Sequence, residues 1–539
     1  MHIRSPLFPA LLFSLAAAAC GSGDPDPAST GGGGDPEPLL IETDKGPVEG
    51  SLAGSTRVFL GIPYAAPPVG DLRWKSPAPA AAWTTALKAT QLGRPCPQLN
   101  PLSGALDSTS DEDCLTLNVW TPSRLSASPA PVLVWVHGGG FVFGSNREPS
   151  YDGQVLSEAT GAVVVNINYR LGPLGFLAHP ALKAEDSGHP STGGYGLEDQ
   201  RAALAWVKAN IAAFGGDPGR VTLFGESAGG ISTCMHMVSP KSKGLFQRAI
   251  IESGPCDSGA AEPEALAQGE QFATALGCDT AGGEAEILAC LRDKPVDAIM
   301  KALPSSTDLV FGEGASWFPV IDGWNLPDVP SKLLESGSFE KVPTILGSNA
   351  DEGTLFFQLA GTMIADDAAL KALIEKLVPG KSEEVLMRYS SATHGSAKEA
   401  AMAAVGDAGF VCPTRRAARA IAKAGADAYL YHFTFMPPGS LLGPLGAFHS
   451  AEIKSVFGVP SQLLPYELTA EELKLSAAVM GYWARHGASG DPNGGGAVPW
   501  PKYSAEKDEN IVLDTTISTQ AGLKKDLCDF WDGVTVAGP

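Results

Sequence analysis

A chain of 539 residues, 44% hydrophobic and 18% charged, has the composition of a globular protein with a large core, and pervasive disorder is excluded. Its 59 acidic against 38 basic residues give a net charge of -21, with no basic run to offset them, so nucleic acid is excluded as a partner by repulsion. Acidity of this kind serves solubility and does not bear on fold.

The first twenty residues run from a weakly basic start (His2, Arg4) through an apolar stretch, Leu7 to Ala19, into Cys20. Residues 1–19 read as a signal peptide, too short for a spanning helix. Leu15 to Cys20 resembles a bacterial lipoprotein cleavage box, in which Cys20 becomes the lipidated first residue of the mature chain. Ala17 stands where such boxes prefer Leu, which keeps plain secretion by cleavage after Ala19 open. Either route takes the mature chain out of the cytoplasm, as an outer-membrane lipoprotein or a secreted protein. Residues 20–38, with Gly-Ser-Gly-Asp-Pro-Asp-Pro and Gly31 to Gly34, hold too little apolar surface to order themselves and read as a flexible tether. Without Cys20 eight of the nine cysteines remain, and no pair has CxxC spacing, so a disulfide framework is expected rather than a metal site.

From Leu39 onward there is no second linker, no repeat and no apolar run of spanning length, so residues 39–539 read as one large domain. Val132 to Val136 and Ala162 to Ile167 are short β-branched runs without alternation, as in parallel strands buried on both faces. Gly196 to Phe214 carries Leu197, Leu204, Val207 and Ile211 at helical spacing and stops at Gly215 and Gly216, which predicts a crossover helix. Arg220 to Phe224 is a predicted strand, Ala228 to Val238 a helix, and Arg248 to Glu252, Val342 to Leu346 and Ala428 to Phe435 further strands. This alternation predicts an α/β fold, a doubly wound and mostly parallel sheet flanked by helices.

Gly225-Glu226-Ser227-Ala228-Gly229 lies where a strand passes directly into a helix. Small residues on both sides let the turn tighten so that the Ser227 hydroxyl stands above the sheet, as in the nucleophile elbow of an α/β-hydrolase. A serine attacking a carbonyl needs donors for the oxyanion, and His137-Gly138-Gly139-Gly140-Phe141 directly follows an earlier strand. The N–H groups of Gly139, Gly140 and Ala228 would supply three, where loss of one costs about 10²-fold or more in rate.

In this fold the acid and then the histidine follow the serine. Four histidines lie far enough along. His432 sits within a predicted strand and reads as packed, His486 precedes Gly487 and reads as a helix cap, and His394 lies in a polar stretch. His449 follows a Gly/Pro-rich loop after the last strand, where a positioned base belongs. Asp351 and Glu352 both follow a strand, and either carboxylate could orient an imidazole.

Several motifs together resemble the type B carboxylesterase and cholinesterase family over nearly all of residues 39 to 539. They are Phe214-Gly215-Gly216 followed after four residues by Val221 to Gly229, then Glu112 to Val119, Asp351-Glu352-Gly353 and Phe448-His449-Ser450-Ala451-Glu452. The resemblance implies a serine carboxylesterase that needs no cofactor and no metal, with Ser227 as nucleophile, His449 as base, Glu352 as acid, and Glu226, Ser253 and Glu452 as a buried support network. It implies disulfides pairing Cys96 with Cys114, Cys278 with Cys290 and Cys412 with Cys528, and leaves Cys234 and Cys256 as a candidate fourth pair. Arg73 with Glu112 and Arg170 with Asp199 resemble the family's internal ion pairs. Rival readings are a lipase acting on long-chain acylglycerols and a non-catalytic adhesion or binding protein, the latter disfavoured because nucleophile, acid, base and glycines are all present. In cholinesterases the loop matching 97–113 carries a tryptophan that binds a quaternary ammonium. Here that loop has no aromatic residue, so a small-molecule neutral ester is the expected partner.

Overall fold

A computed structural model describes residues 37–534 except 102, 125, 127, 280–281, 304–313, 360, 362 and 442. The expected signal peptide, Cys20 and the tether up to residue 36 lie outside the described residues.

Eleven strands form the main sheet: β1 (Ser51–Ala53), β2 (Thr56–Pro63), β3 (Thr116–Pro122), β4 (Ala130–Val136), β5 (Val163–Ile167), β6 (Gly216–Glu226), β7 (Arg248–Glu252), β8 (Thr344–Asn349), β9 (Ala428–Phe433), β10 (Glu509–Leu513) and β11 (Ser518–Ala521). Their spatial order is β11-β10-β9-β8-β7-β6-β4-β5-β3-β2-β1. The run from β5 to β10 is parallel, and both flanks pair antiparallel. The β-branched composition follows from burial on two sides. β4 sends Val132, Val134 and Val136 into one apolar layer and Leu133 and Trp135 into the other.

The expected strands at Val132–Val136 and Arg220–Phe224 are longer, at Ala130–Val136 and Gly216–Glu226, the one at Ala428–Phe435 ends at Phe433, and two further boundaries move for local reasons. Helix α1 (Tyr195–Asn210) tightens into a 3₁₀ turn over Ile211–Phe214 before Gly215 ends it at φ 89°. β8 begins at Thr344 rather than Val342, because Pro343 has no N–H for the ladder and contributes only its carbonyl, to Ala249 N–H.

The site is located by strand order. β4 lies between β5 and β6, so the chain, having laid down β5 on one side, crosses to the other, and the ends of β4 and β6 become neighbours with Val136 opposite Gly225. Such a switch point opens a crevice at the carboxyl ends of the strands. Helix α2 (Ala228–Val238) packs on β6 and β7, α3 (Gly353–Leu359) follows β8, and α4 (Ile453–Phe457) packs on α5 (Ala470–Ser489), which lies against β4 and β6.

Four disulfides join Cys96 to Cys114, Cys234 to Cys256, Cys278 to Cys290 and Cys412 to Cys528. Two buried ion pairs complete the frame. Arg170 meets Asp199 through Nε and Nη2, both at 2.7 Å, and Arg73 meets Glu112 through the same atoms, both at 2.6 Å. Such fork-shaped contacts are strong and geometrically specific.

The Cys412–Cys528 bridge spans 116 residues, and on loop-closure entropy alone such a bridge contributes roughly 4 to 5 kcal/mol. Replacing both cysteines by alanine is therefore expected to lower unfolding free energy by up to that amount, measured by denaturant titration. A change below about 1 kcal/mol would show that the loop-closure account fails for this bridge.

Candidate active site

β6 ends at Glu226 and α2 begins at Ala228, which leaves Ser227 as the entire connection. Its backbone adopts φ 54°, ψ −120°, a conformation costing about 1 to 3 kcal/mol for a residue with a Cβ. The flanking glycines are needed for contact as well as freedom. A Cβ on Gly229 would lie 1.9 Å from the Val136 carbonyl oxygen, and one on Gly225 would lie 2.6 Å from the Gly229 carbonyl carbon. The strained turn is thus gripped between β4 and the first turn of α2.

The loop after β4 lies directly on this turn, since a Cβ on Gly138 would fall 2.7 Å from Glu226 Oε2 and 3.1 Å from Ser227 Cβ. Val142 and Phe143 both donate their N–H groups to the Gly139 carbonyl. These bonds shape the turn and leave the N–H groups of Gly139 and Gly140 out of it. Gln98, in the Cys96–Cys114 loop, clamps the far side: its side-chain amide donates to Gly144 C=O at 3.0 Å and accepts from Gly144 N–H at 2.9 Å.

The two adjacent acids after β8 take different directions. Asp351 accepts the Ala447 N–H at 2.8 Å and so ties down the histidine loop. Glu352 faces the imidazole, with its Oε2 2.6 Å from His449 Nδ1. Its other oxygen accepts from Ser253 Oγ at 2.6 Å and from Asn349 N–H at 2.7 Å. On the opposite side of the ring, His449 Nε2 makes no hydrogen bond among the described residues and lies 3.1 Å from Glu226 Oε1. Of the expected triad, Glu352 and His449 are thus joined by a hydrogen bond, and the second ring nitrogen is left without one.

Glu226 Oε1 also accepts from Ser450 Oγ at 2.7 Å, while Glu452 accepts from Asn349 Nδ2 at 2.5 Å and sits 3.4 Å from Ser253 Oγ. Burial alone would lower the His449 pKa. The charges of Glu226 and Glu352, the Glu352 bond and the Glu452 charge outweigh it and hold the imidazole up at about 9. Burial likewise raises Glu226, against the pull of His449 and the Ser450 bond. Glu452 is raised to about 8 by burial, then by Glu226 and Glu352.

The three other histidines considered as the base lie elsewhere. His432 is buried in β9. His486 does not cap a helix end, because α5 continues to Ser489 and the left-handed Gly490; its ring is buried, with Nε2 3.2 Å from Ala249 O. His394 ends a short helix, stacked on Tyr389.

Several residues at the site went unread in the sequence. Phe356 and Phe410 flank His449 with ring centroids at 4.9 and 4.8 Å. Phe356 follows Glu352 by one helical turn, so its spacing was a usable signal. Phe410 sits in the π-helical turn Asp407–Val411, which has no comparable signature. Ser450, Asn349 and Gln98 are polar residues whose partners lie 46 to 224 positions away in sequence.

The sequence model of the Carboxylesterase family matches residues 37–531. The Mus musculus protein named Cholinesterase is 35% identical over 545 residues, covering 92% of this chain and 86% of its own. A solved structure of PNB esterase, 33% identical, superposes with a TM-score of 0.78 over 91% of this chain and 99% of its own. With a strained serine between strand and helix, a glycine loop laid against it and a carboxylate-held imidazole on an α/β-hydrolase sheet, these likenesses agree: the chain belongs to the carboxylesterase family.

Proposed function

We propose that this serine carboxylesterase hydrolyses neutral carboxylic esters by acyl transfer through Ser227, with His449 as base and then acid and Glu352 as its orienting carboxylate. The observation that carries the reading is the 2.6 Å bond from His449 Nδ1 to Glu352, on a ring whose Nε2 is left for the serine. Ser227 Oγ attacks the ester carbonyl as His449 Nε2 takes its proton. The oxyanion is met by the N–H groups of Gly139, Gly140 and Ala228. Collapse breaks the ester C–O bond, and the proton on His449 leaves with the alcohol. Water then repeats the sequence on the acyl-serine and releases the acid.

In this reading Glu226, Ser253 and Glu452 form the support network. Ser253 holds the acid, Glu452 shares Asn349 and Ser253 with it, and Glu226, 3.1 Å from Nε2, favours the imidazolium that forms during attack. The esterase domain is assigned to residues 39–539, behind a signal peptide (1–19) and a tether (20–38). Four disulfides support export to a compartment where such bonds persist. No helix among the described residues is long and apolar enough to cross a membrane, and the proposed tether to the outer membrane is an acylated Cys20.

Ser227→Ala is expected to lower kcat by about 10⁴-fold or more across a panel of aryl and alkyl esters, with the melting temperature retained. Substantial residual turnover would reassign the nucleophile. Because His449 must be neutral to accept a proton, kcat/KM is expected to rise with pH towards its pKa of about 9. Removing one of the carboxylates that hold it up, in Glu226→Gln, should move that limb to lower pH, read from the pH profile. The aromatic-free loop 97–113 lacks a cation platform worth about 2 kcal/mol when desolvated. An uncharged thioester of short to medium acyl chain should therefore exceed acetylthiocholine in kcat/KM by more than about tenfold, and a preference for the choline ester would refute the neutral-ester reading.

A further inference from the structure

Glu252, the last residue of β7, is fully buried beside the acids just described, and the mechanism above makes no use of its carboxyl group. Oε1 accepts the indole N–H of Trp483, on α5, at 2.7 Å. Oε2 has no partner among the described residues. The titratable groups that face it are Glu226 at the end of β6, Glu452 at the start of α4 and the Tyr431 hydroxyl of β9, which is itself unpartnered. The nearby imidazole of His449 pairs instead with Glu226 and Glu352.

An ionised carboxylate in this position would face two other acids with one neutral donor in place of water, and burial disfavours the charged form of such a group. A carboxylic acid fits better, because the neutral form loses far less on leaving water than the carboxylate and adds no charge beside Glu226 and Glu452.

We propose that Glu252 is kept as a neutral carboxylic acid at catalytic pH, a positioning residue that limits the negative charge behind His449. Burial and then the Glu452 charge push its carboxyl well above the usual carboxylate range, and the Trp483 bond opposes them only in part. The consequence runs through His449. A further full charge beside Glu226 and Glu452 would make the imidazole keep its proton to still higher pH and withdraw the base from service. The inference rests on the reading of His449 as the base.

The experiment compares the parent chain with Glu252→Gln, which is neutral and of nearly the same shape. If Glu252 is already neutral, kcat/KM stays within about twofold and the acid limb of the pH profile does not move by more than about 0.2 units. The infrared difference spectrum, parent minus variant at neutral pH, should also contain a protonated-carboxyl C=O stretch. A limb shifted to lower pH by about half a unit or more means that a charge was removed, and overturns the proposal. An unmoved limb without the carboxyl band overturns it as well. Glu252→Met, which carries no polar group to satisfy, serves as the second variant if the amide folds poorly, with the same expected limb. Glu226→Gln separates the two readings: if that variant leaves the limb in place, the role given to His449 fails, whatever the infrared band shows.

Discussion

Gly229 approaches β4 so closely that a single added carbon would fall 1.9 Å from the Val136 carbonyl oxygen. That contact fixes the start of α2 against the end of β4, and with it the spacing between the Ser227 turn and the glycine loop that begins at His137. Neither loop could be moved without opening the other, because Val136 and Gly225 are register partners in the same sheet. The strain at Ser227 persists for the same reason: relaxing its φ would swing the first turn of α2 into a strand that has no room for it.

Around this contact the fold concentrates backbone strain and charge. Ser227, Ser253 and Ser450 all hold positive φ, and each meets part of the site, as does Phe141 in the glycine loop. Three carboxylates bear on one imidazole. Glu226 comes from the end of a strand, Glu352 from the turn after a strand, and Glu452 from the start of a helix. Such a group of acids is tolerable because each has a short bond to a hydroxyl, an amide or a backbone N–H, because burial holds Glu452 up at about 8, and because the imidazole lies among them.

Much of this was legible in the order of residues. Parallel strands buried on both faces show as β-branched runs, and a glycine-flanked serine between a strand and a helix leaves few alternatives. The choice between Asp351 and Glu352 could not be made from position, since the two differ only in which side of one turn they occupy; family likeness selected Glu352, and geometry shows Asp351 spent on the Ala447 N–H. Phe410 was invisible for a different reason. It reaches His449 through a one-residue expansion of a helix, which leaves no period in the sequence. Gln98, Asn349 and Ser450 are ordinary polar residues whose significance lies wholly in partners that the fold brings from far along the chain.

The bridge between Cys234 and Cys256 has a bearing on how the chain matures. Its two ends are only 22 residues apart, one on the helix that follows Ser227 and the other just beyond the next strand. Both sulfurs belong to residues with almost no exposed surface in the finished core. An oxidant can reach them while this short segment is still open, and a reductant cannot once the core has closed around it. The state of this one crosslink is thus written while the chain folds and then sealed, so each molecule carries a record of the redox conditions in which it folded.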